Sequence, residues 1–248
     1  MLFAQYDFNT VVHTAAIKYV PDAERNVLEC IDVNIEGTRT VFEKAAKAGA
    51  GHVVFISTDK ACRPVNVYGM TKSLGERMLP EFAQSYHKTQ FVGTRYGNVI
   101  GSTGSVIPYF EQLVREEKPI PITDSNMTRF WMTLDEAVDC ILESLNGESG
   151  TICIPKCRAA SIGEVAKAVG GDGCQIDFVG TRPGEKTSEE LVSMSESHRV
   201  TDGGKFYYTL HPISAVPASP RFSYTSDYPH EYIDRNDLMA AYEKSKCV

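Results

Sequence analysis

Apolar residues along the N-terminal part of the chain fall alternately into short continuous runs and into helical intervals. "NTVVHTAA" (Asn9 to Ala16) places a short apolar strand before a small-residue turn, as a buried parallel strand does where it ends near a ligand. After Pro21, "DAERNVLECIDVNIEGTRTVFEKAAKAG" has helical spacing and closes on Gly49, with Asn34 at an internal break or cap. "HVVFIS" (His52 to Ser57) predicts a second buried strand. "VYGMTKSLGERMLPEFAQSY" carries Leu74, Met78, Leu79 and Phe82 at helical intervals, and Pro80 predicts a bend or interruption. "FVGTRYGNVIG" (Phe91 to Gly101) predicts a third strand running into a glycine-bearing loop. Strand, helix, strand, helix, strand is the order of a doubly wound parallel α/β sheet.

Past Gly101 the pattern loosens. It predicts helices at about residues 106–117 and 134–145, strands at "PIPIT", "TICIP" and "CQIDFVG", a helix "SIGEVAKAVG" capped by Ser161, and a closing helix "RNDLMAAYEK". "HPISAVPASPRFSYTSDYP" reads as a long surface loop. The expectation is an N-terminal domain over residues 1–100. A smaller α/β substrate-gripping domain follows over residues 101–248, and some of its elements return to pack on the sheet.

At 248 residues the chain can bury a substantial core, and its net charge of -7 argues against a nucleic-acid surface while leaving room for local basic pockets. The seven cysteines are odd in number, scattered and free of Cys-x-x-Cys spacing, so no metal site is expected and a reducing cytoplasm fits. "CIPKC" reads as one buried strand cysteine, Cys153, and one loop cysteine, Cys157. The start "MLFAQYDFNTVV" lacks a basic leader and no apolar run approaches a membrane span, which predicts a soluble protein without a membrane partner.

Candidate chemistry gathers in "FISTDKACRPVNVYGMTK". Tyr68 and Lys72 stand four apart on one helix face, just after a strand that ends in Ser57 and Thr58. A half-buried Tyr and a solvated Lys would account for the spacing alone. A phenol ionises near ~10, however, and a neighbouring ammonium lowers that value by favouring the phenolate. Tyr68 then becomes an acid/base for a sugar hydroxyl, with Lys72 tuning it and holding a nicotinamide ribose. Asp59 and Lys60, read by themselves, are a turn cap and a solvated lysine.

Six blocks in order, "HTAAIKYVP", "NIEGTRTVFEKAAKAG", "FISTDKACRPVNVYGMTK", "TRYGNVIGSTGSVIPYF", "MTRFWMTLDEAV" and "TRPGEKTSEEL", carry a wider likeness. From about Val11 to the C-terminal helix the chain resembles the extended short-chain dehydrogenase/reductases. Within them it resembles the inverting UDP-N-acetylglucosamine 4,6-dehydratases of polysaccharide biosynthesis. The resemblance implies a partial Rossmann-like NAD(P) domain and a nucleotide-sugar domain.

It also implies roles. Tyr68 would take the carbon-4 hydroxyl proton, Thr58 would hydrogen-bond the carbon-4 oxygen, Lys60 would remove the carbon-5 proton, and Asp59 would help expel water from carbon 6. Lys60 stands where the retaining branch has Glu, and as a base it needs a lowered pKa. NADP would be held by Ala15, Ala16, Lys18, Tyr68, Lys72 and Val99. The UDP-sugar would be held by Asn98, Arg129, Arg182 and Glu185, since guanidinium forks suit pyrophosphate oxygens. Asn34 is expected to be structural. Homo-oligomers are implied through helices at about residues 35–48 and 68–86. The alternatives are a UDP-sugar 4-epimerase, or a non-catalytic nucleotide-sugar-binding subunit or fragment.

The glycine-rich phosphate turn that this resemblance implies should precede the first strand, yet the first glycine of the chain is Gly37. The expectation is a sheet without its N-terminal strands, with Thr10 to His13 at an open edge. NADP binding would be weak or lost and activity impaired unless a complementing N-terminal chain supplies the rest.

Overall fold

A computed structural model describes residues 3, 5–180, 184–213 and 221–247. The chain opens with β1 (Thr10–His13), α1 (Val20–Arg25) and α2 (Val27–Ile31), a single π-helical turn Asp32–Glu36, and α3 (Gly37–Lys47). Next come β2 (His52–Thr58), a 3₁₀ turn Asp59–Ala61, α4 (Val67–Ser85), β3 (Gln90–Tyr96) and β4 (Asn98–Val99). The middle holds α5 (Val106–Arg115), β5 (Ile120–Ile122), β6 (Thr128–Met132), α6 (Leu134–Ser144), β7 (Ile152–Pro155), β8 (Arg158–Ser161), α7 (Ile162–Gly170) and β9 (Ile176–Phe178). The chain ends with β10 (Glu190–Val192), β11 (Val200–Asp202), β12 (Tyr207–Leu210), β13 (Tyr224–Thr225) and α8 (Arg235–Ser245).

Two compact units result. The first comprises residues 1–96, 138–156 and 190–223. Its six-stranded sheet runs β1-β2-β3-β7-β12-β11. The first four strands are parallel, in registers that set Val12 beside Val54 and Val54 beside Val92, while β12 is antiparallel to both β7 and β11. β1 lies at the edge of that sheet, and Val12 is 42% exposed there. The core is aromatic: Phe42 lies 5.9, 5.3 and 5.4 Å from Phe55, Phe82 and Phe91, ring centre to ring centre. α4 can press on β2 because residue 75 is glycine, as a Cβ there would overlap the Phe55 ring.

The second unit comprises residues 97–137, 157–189 and 224–248. It holds a three-stranded sheet, β4-β6-β8, and a parallel pair, β5 with β9. Trp131, Phe110, Ile107, Ile122, Val165 and Tyr242 belong to its core.

Three sequence expectations are adjusted. The helix expected after Pro21 is not uniform but passes through the π turn that contains Asn34. α4 continues through Pro80 to Ser85. The strand expected from Phe91 to Gly101 is divided at Gly97, where a Cβ would collide with Phe130, into β3 and β4 of separate sheets. Cys153 lies in β7 as expected, whereas Cys157 is as buried as Cys153. Among the described residues no helix is long and apolar enough to cross a membrane.

Candidate active site

β2 ends at Thr58, whose extended backbone hands the chain to the 3₁₀ turn. The Thr58 hydroxyl accepts from the Lys60 backbone N–H at 3.4 Å and donates to Asp59 Oδ1 at 2.9 Å. Lys60 Nζ donates to the same Oδ1 at 3.0 Å. Asp59 is 0% exposed, and its Oδ2 is buried with no hydrogen-bond partner among the described residues. A buried carboxylate oxygen without a donor is costly, so it marks a place built for something else.

Helix α4 starts against this turn. Asn66 caps it by accepting from the Gly69 N–H at 2.8 Å. Gly69 has no substitute here, because a Cβ would fall inside the Lys60 carbonyl oxygen. The first turn of α4 therefore brings Tyr68 to Thr58 and Lys60. Burial pushes the Tyr68 phenol up to about 12, opposed by the Lys60 charge and by a hydrogen bond with Thr58, while Asp59 adds to the rise. The expected net lowering by Lys72 is thus corrected: burial outweighs the cations, and the cation that opposes it is Lys60.

Lys72 is buried, not solvated. Its Nζ donates to the Ile56 carbonyl at 2.7 Å and stands 4.7 Å above the Phe55 ring. Burial lowers its pKa to about 8 against the pull of Glu76. Only one of its three N–H donors has a partner among the described residues, which leaves two for a ligand's hydroxyls.

The π turn supplies a support that the sequence left as a structural asparagine. The Asn34 side chain accepts from Ile17 N at 2.8 Å, and donates to Ile17 O and to Thr71 Oγ1, both at 3.0 Å. Thr71 Oγ1 in turn donates to the Tyr68 carbonyl at 2.8 Å. One amide therefore ties the loop holding Ala15, Ala16 and Lys18 to the Tyr68 turn of α4. In that loop Ala15 and Lys18 are exposed and Ala16 is half-buried.

Two groups were not singled out from sequence. His13 is buried, meets Thr38 Oγ1 at 3.0 Å and stacks on Phe55. Burial, with the Lys72 charge, pushes it down to about 4, so it is neutral. Arg95 is buried between Glu76 and Glu196, at 2.6 Å from each. Ser57 donates to Glu76 at 2.6 Å and Cys62 to Glu196 at 3.2 Å, so both flanks of the Asp59–Ala61 turn rest on this ion cluster. The only prior signal was a charged Arg95 inside an otherwise apolar strand.

The first unit thus brings Thr58, Asp59, Lys60, Tyr68 and Lys72 together. Asn98, Val99, Arg129 and Glu185 belong to the second unit, and Arg182 lies outside the described residues. Asn98 and Val99 are half-buried in β4 beside Trp131 and Met132. Arg129 is buried on β6. Its Nη1 donates to the Thr128 carbonyl at 2.7 Å, its Nη2 faces Met127 Sδ at 3.0 Å, and Glu189 lies 3.9 Å from its Nε.

Comparison with known proteins meets this geometry at one family. The sequence pattern of the polysaccharide biosynthesis proteins matches residues 1–211. The chain belongs to the polysaccharide biosynthesis protein family. Among its relatives is the UDP-N-acetylglucosamine 4,6-dehydratase (inverting) of Campylobacter jejuni, 39% identical over 224 residues, which are 89% of this chain and 67% of that protein. A UDP-glucose 4-epimerase of Rickettsia canadensis is 40% identical over 210 residues, 82% of this chain and 62% of that one. Among solved structures, Pen from Bacillus thuringiensis superposes with a TM-score of 0.88 at 30% identity, covering 99% of this chain and 78% of Pen. The mixed α/β fold with its parallel sheet is therefore a fold of this family, and nucleotide-sugar dehydratases are among its relatives.

For a family member that uses a nicotinamide, the residues present fit the ribose end. Lys72 offers a desolvated ammonium with free donors, and the small residues Ala15 and Ala16 follow β1.

Proposed function

We propose that this protein is a nucleotide-sugar 4,6-dehydratase that converts UDP-N-acetylglucosamine to a 4-keto-6-deoxy sugar with inversion at carbon 5. The observation that carries this reading is the contact between Lys60 Nζ and Asp59 Oδ1 at 3.0 Å, beside an Oδ2 with no hydrogen-bond partner among the described residues. Elimination from a 4-ketone needs a base for the carbon-5 proton and an acid for the departing carbon-6 hydroxyl. One proton moving from Lys60 Nζ to Asp59 creates both, an amine and a carboxylic acid.

Thr58 then holds the carbon-4 oxygen, and Tyr68 receives the carbon-4 hydroxyl proton as its phenolate, the form that the Lys60 charge favours against burial. Lys60 takes the carbon-5 proton, Asp59 gives its proton to the carbon-6 oxygen, water leaves, and the pair regains its ammonium and carboxylate; carbon 5 then takes a solvent-derived proton on the opposite face as carbon 6 is reduced, which gives the inversion. NADP is the cofactor proposed: when bound it would take the carbon-4 hydride and return it to carbon 6, with Lys72 and Tyr68 as the residues that would hold its ribose and Ala15, Ala16 and Lys18 those that would flank its nicotinamide end.

The UDP moiety is assigned to Asn98, Arg129, Arg182 and Glu185. Arg129 supports this because, among the described residues, one of its terminal nitrogens faces only a thioether, a weak acceptor that a phosphate oxygen would replace with gain. Self-association is proposed through α3 and α4, and on α4 Met70 and Leu74 are 48% and 50% exposed.

A second reading, a 4-epimerase, draws on the 40% identity to the Rickettsia canadensis protein. The mass of the product formed from UDP-N-acetylglucosamine with NADP decides between them, since a dehydratase yields a sugar nucleotide lighter by one water and an epimerase an isomer.

A further inference from the structure

The first unit contains a cavity of about 950 Å³ with no role in the chemistry above, and none of Thr58, Asp59, Lys60, Tyr68 and Lys72 lines it. Its walls come from one face of α4, from Arg95 on β3, from residues 193–199 and from the chain just beyond β12. The volume is that of a pocket for a small organic molecule.

The charges around it are unevenly satisfied. Arg95 is spent on Glu76 and Glu196, and Arg63 on Glu190 at 3.0 Å. Two guanidiniums remain. Arg77 is exposed on α4 and has no ion pair among the described residues. Arg199 is only 8% exposed, yet among the described residues its sole acceptor is the His211 carbonyl, reached by Nη1. A guanidinium carries five N–H donors, so most of this fork is desolvated and unmatched. Burial pushes the Arg199 pKa down, Glu196 resists, and the charges of Arg77 and Arg95 add to the fall. His198, which also lines the cavity, has a buried Nδ1 with no partner among the described residues. Pro80, Ile152 and Leu210 give the same space an apolar wall.

We propose that this cavity binds a small phosphate-bearing molecule, with Arg199 and Arg77 clamping the phosphate, His198 as a third contact, and the apolar wall taking the carbon skeleton. Arg forks match phosphate oxygens in geometry and charge, and a dianion would satisfy both cations together. The shared ion cluster gives such a ligand a route to the catalytic turn, because Glu76 and Glu196 anchor Ser57 and Cys62 on either side of it. This site is independent of which reaction the protein catalyses.

The test is thermal unfolding of the full chain, saturated with UDP, against inorganic phosphate and ribose 5-phosphate at constant ionic strength in chloride. Ligand bound to the native state raises the midpoint with concentration. The expected result is a saturable rise for phosphate, a tighter one for ribose 5-phosphate, and at least tenfold weaker apparent binding of both in Arg77→Gln, a surface change that spares the fold. Arg199→Lys, which keeps the charge and loses the fork, should also weaken binding. Equal affinity for the two probes would make free phosphate the ligand. A shift no larger than that of chloride, or one undiminished in both variants, overturns the proposal.

Discussion

Asp59 and Lys60 are neighbours in the chain and partners in space: the Lys60 ammonium reaches Oδ1 of a fully buried Asp59 at 3.0 Å, across the single peptide bond that joins them. The pair stands at the end of β2, where α4 presents Tyr68. A carboxylate, an ammonium and a phenol thus meet where β2 ends and α4 begins, in a geometry that depends on Thr58 and Gly69.

Replacing the acid isolates the elimination step. Asp59→Asn keeps the shape but cannot carry the proton, and water loss should fall about 10²- to 10⁴-fold, the usual worth of a positioned acid. Binding of UDP-N-acetylglucosamine, measured by calorimetry, should change little. Elimination at the unaltered rate removes Asp59 from its role.

Lys60 should affect two steps, because its charge also opposes the burial that raises the Tyr68 phenol to about 12. In Lys60→Gln the phenol loses that support and its pKa rises further. Carbon-5 proton exchange with deuterated solvent should be lost, and the pH dependence of carbon-4 oxidation should move to higher pH. A pH profile that stays in place contradicts the coupling.

His13 makes stability depend on pH in a defined window. Its folded pKa of about 4 lies below the ordinary 6.5, so the unfolded chain binds more protons between those values. Its contribution is complete above about pH 6.5, shrinks as pH falls and levels off below about 4. Urea unfolding from pH 7 to pH 4.5 should show a shallower loss in His13→Gln than in the parent. Parallel curves would show that His13 is not buried neutral.

The proposed self-association turns on α4. Leu74→Glu puts a charge on the exposed apolar stripe and should convert an oligomer to a monomer in light scattering, with unchanged helix content by circular dichroism. An unaltered mass moves the contact elsewhere.

Much of this was legible in the sequence, for identifiable reasons. The strands β1, β2 and β3 are continuous apolar runs, and the Tyr68–Lys72 helix follows the second of them. Asn34 lies in the π turn of a helix that runs on through it, and the cap by Asn66 at the start of α4 was not singled out. What could not be read depends on distant partners. β11 and β12 are 3 and 4 residues long and join the sheet through antiparallel neighbours. Arg95 meets Glu76 and Glu196 across 19 and 101 residues, so each charge looks like an isolated oddity until the fold joins them. The tuning of Tyr68 was misjudged for the same reason: burial, which no spacing reveals, outweighs the neighbouring ammonium groups.

The deciding measurement is mass spectrometry of the sugar nucleotide formed from UDP-N-acetylglucosamine and NADP in deuterated water. A 4,6-dehydratase with Lys60 as base gives a product lighter by one water that has gained deuterium at carbon 5. An isomer of unchanged mass, with no solvent deuterium, would contradict the dehydratase and make this protein an epimerase.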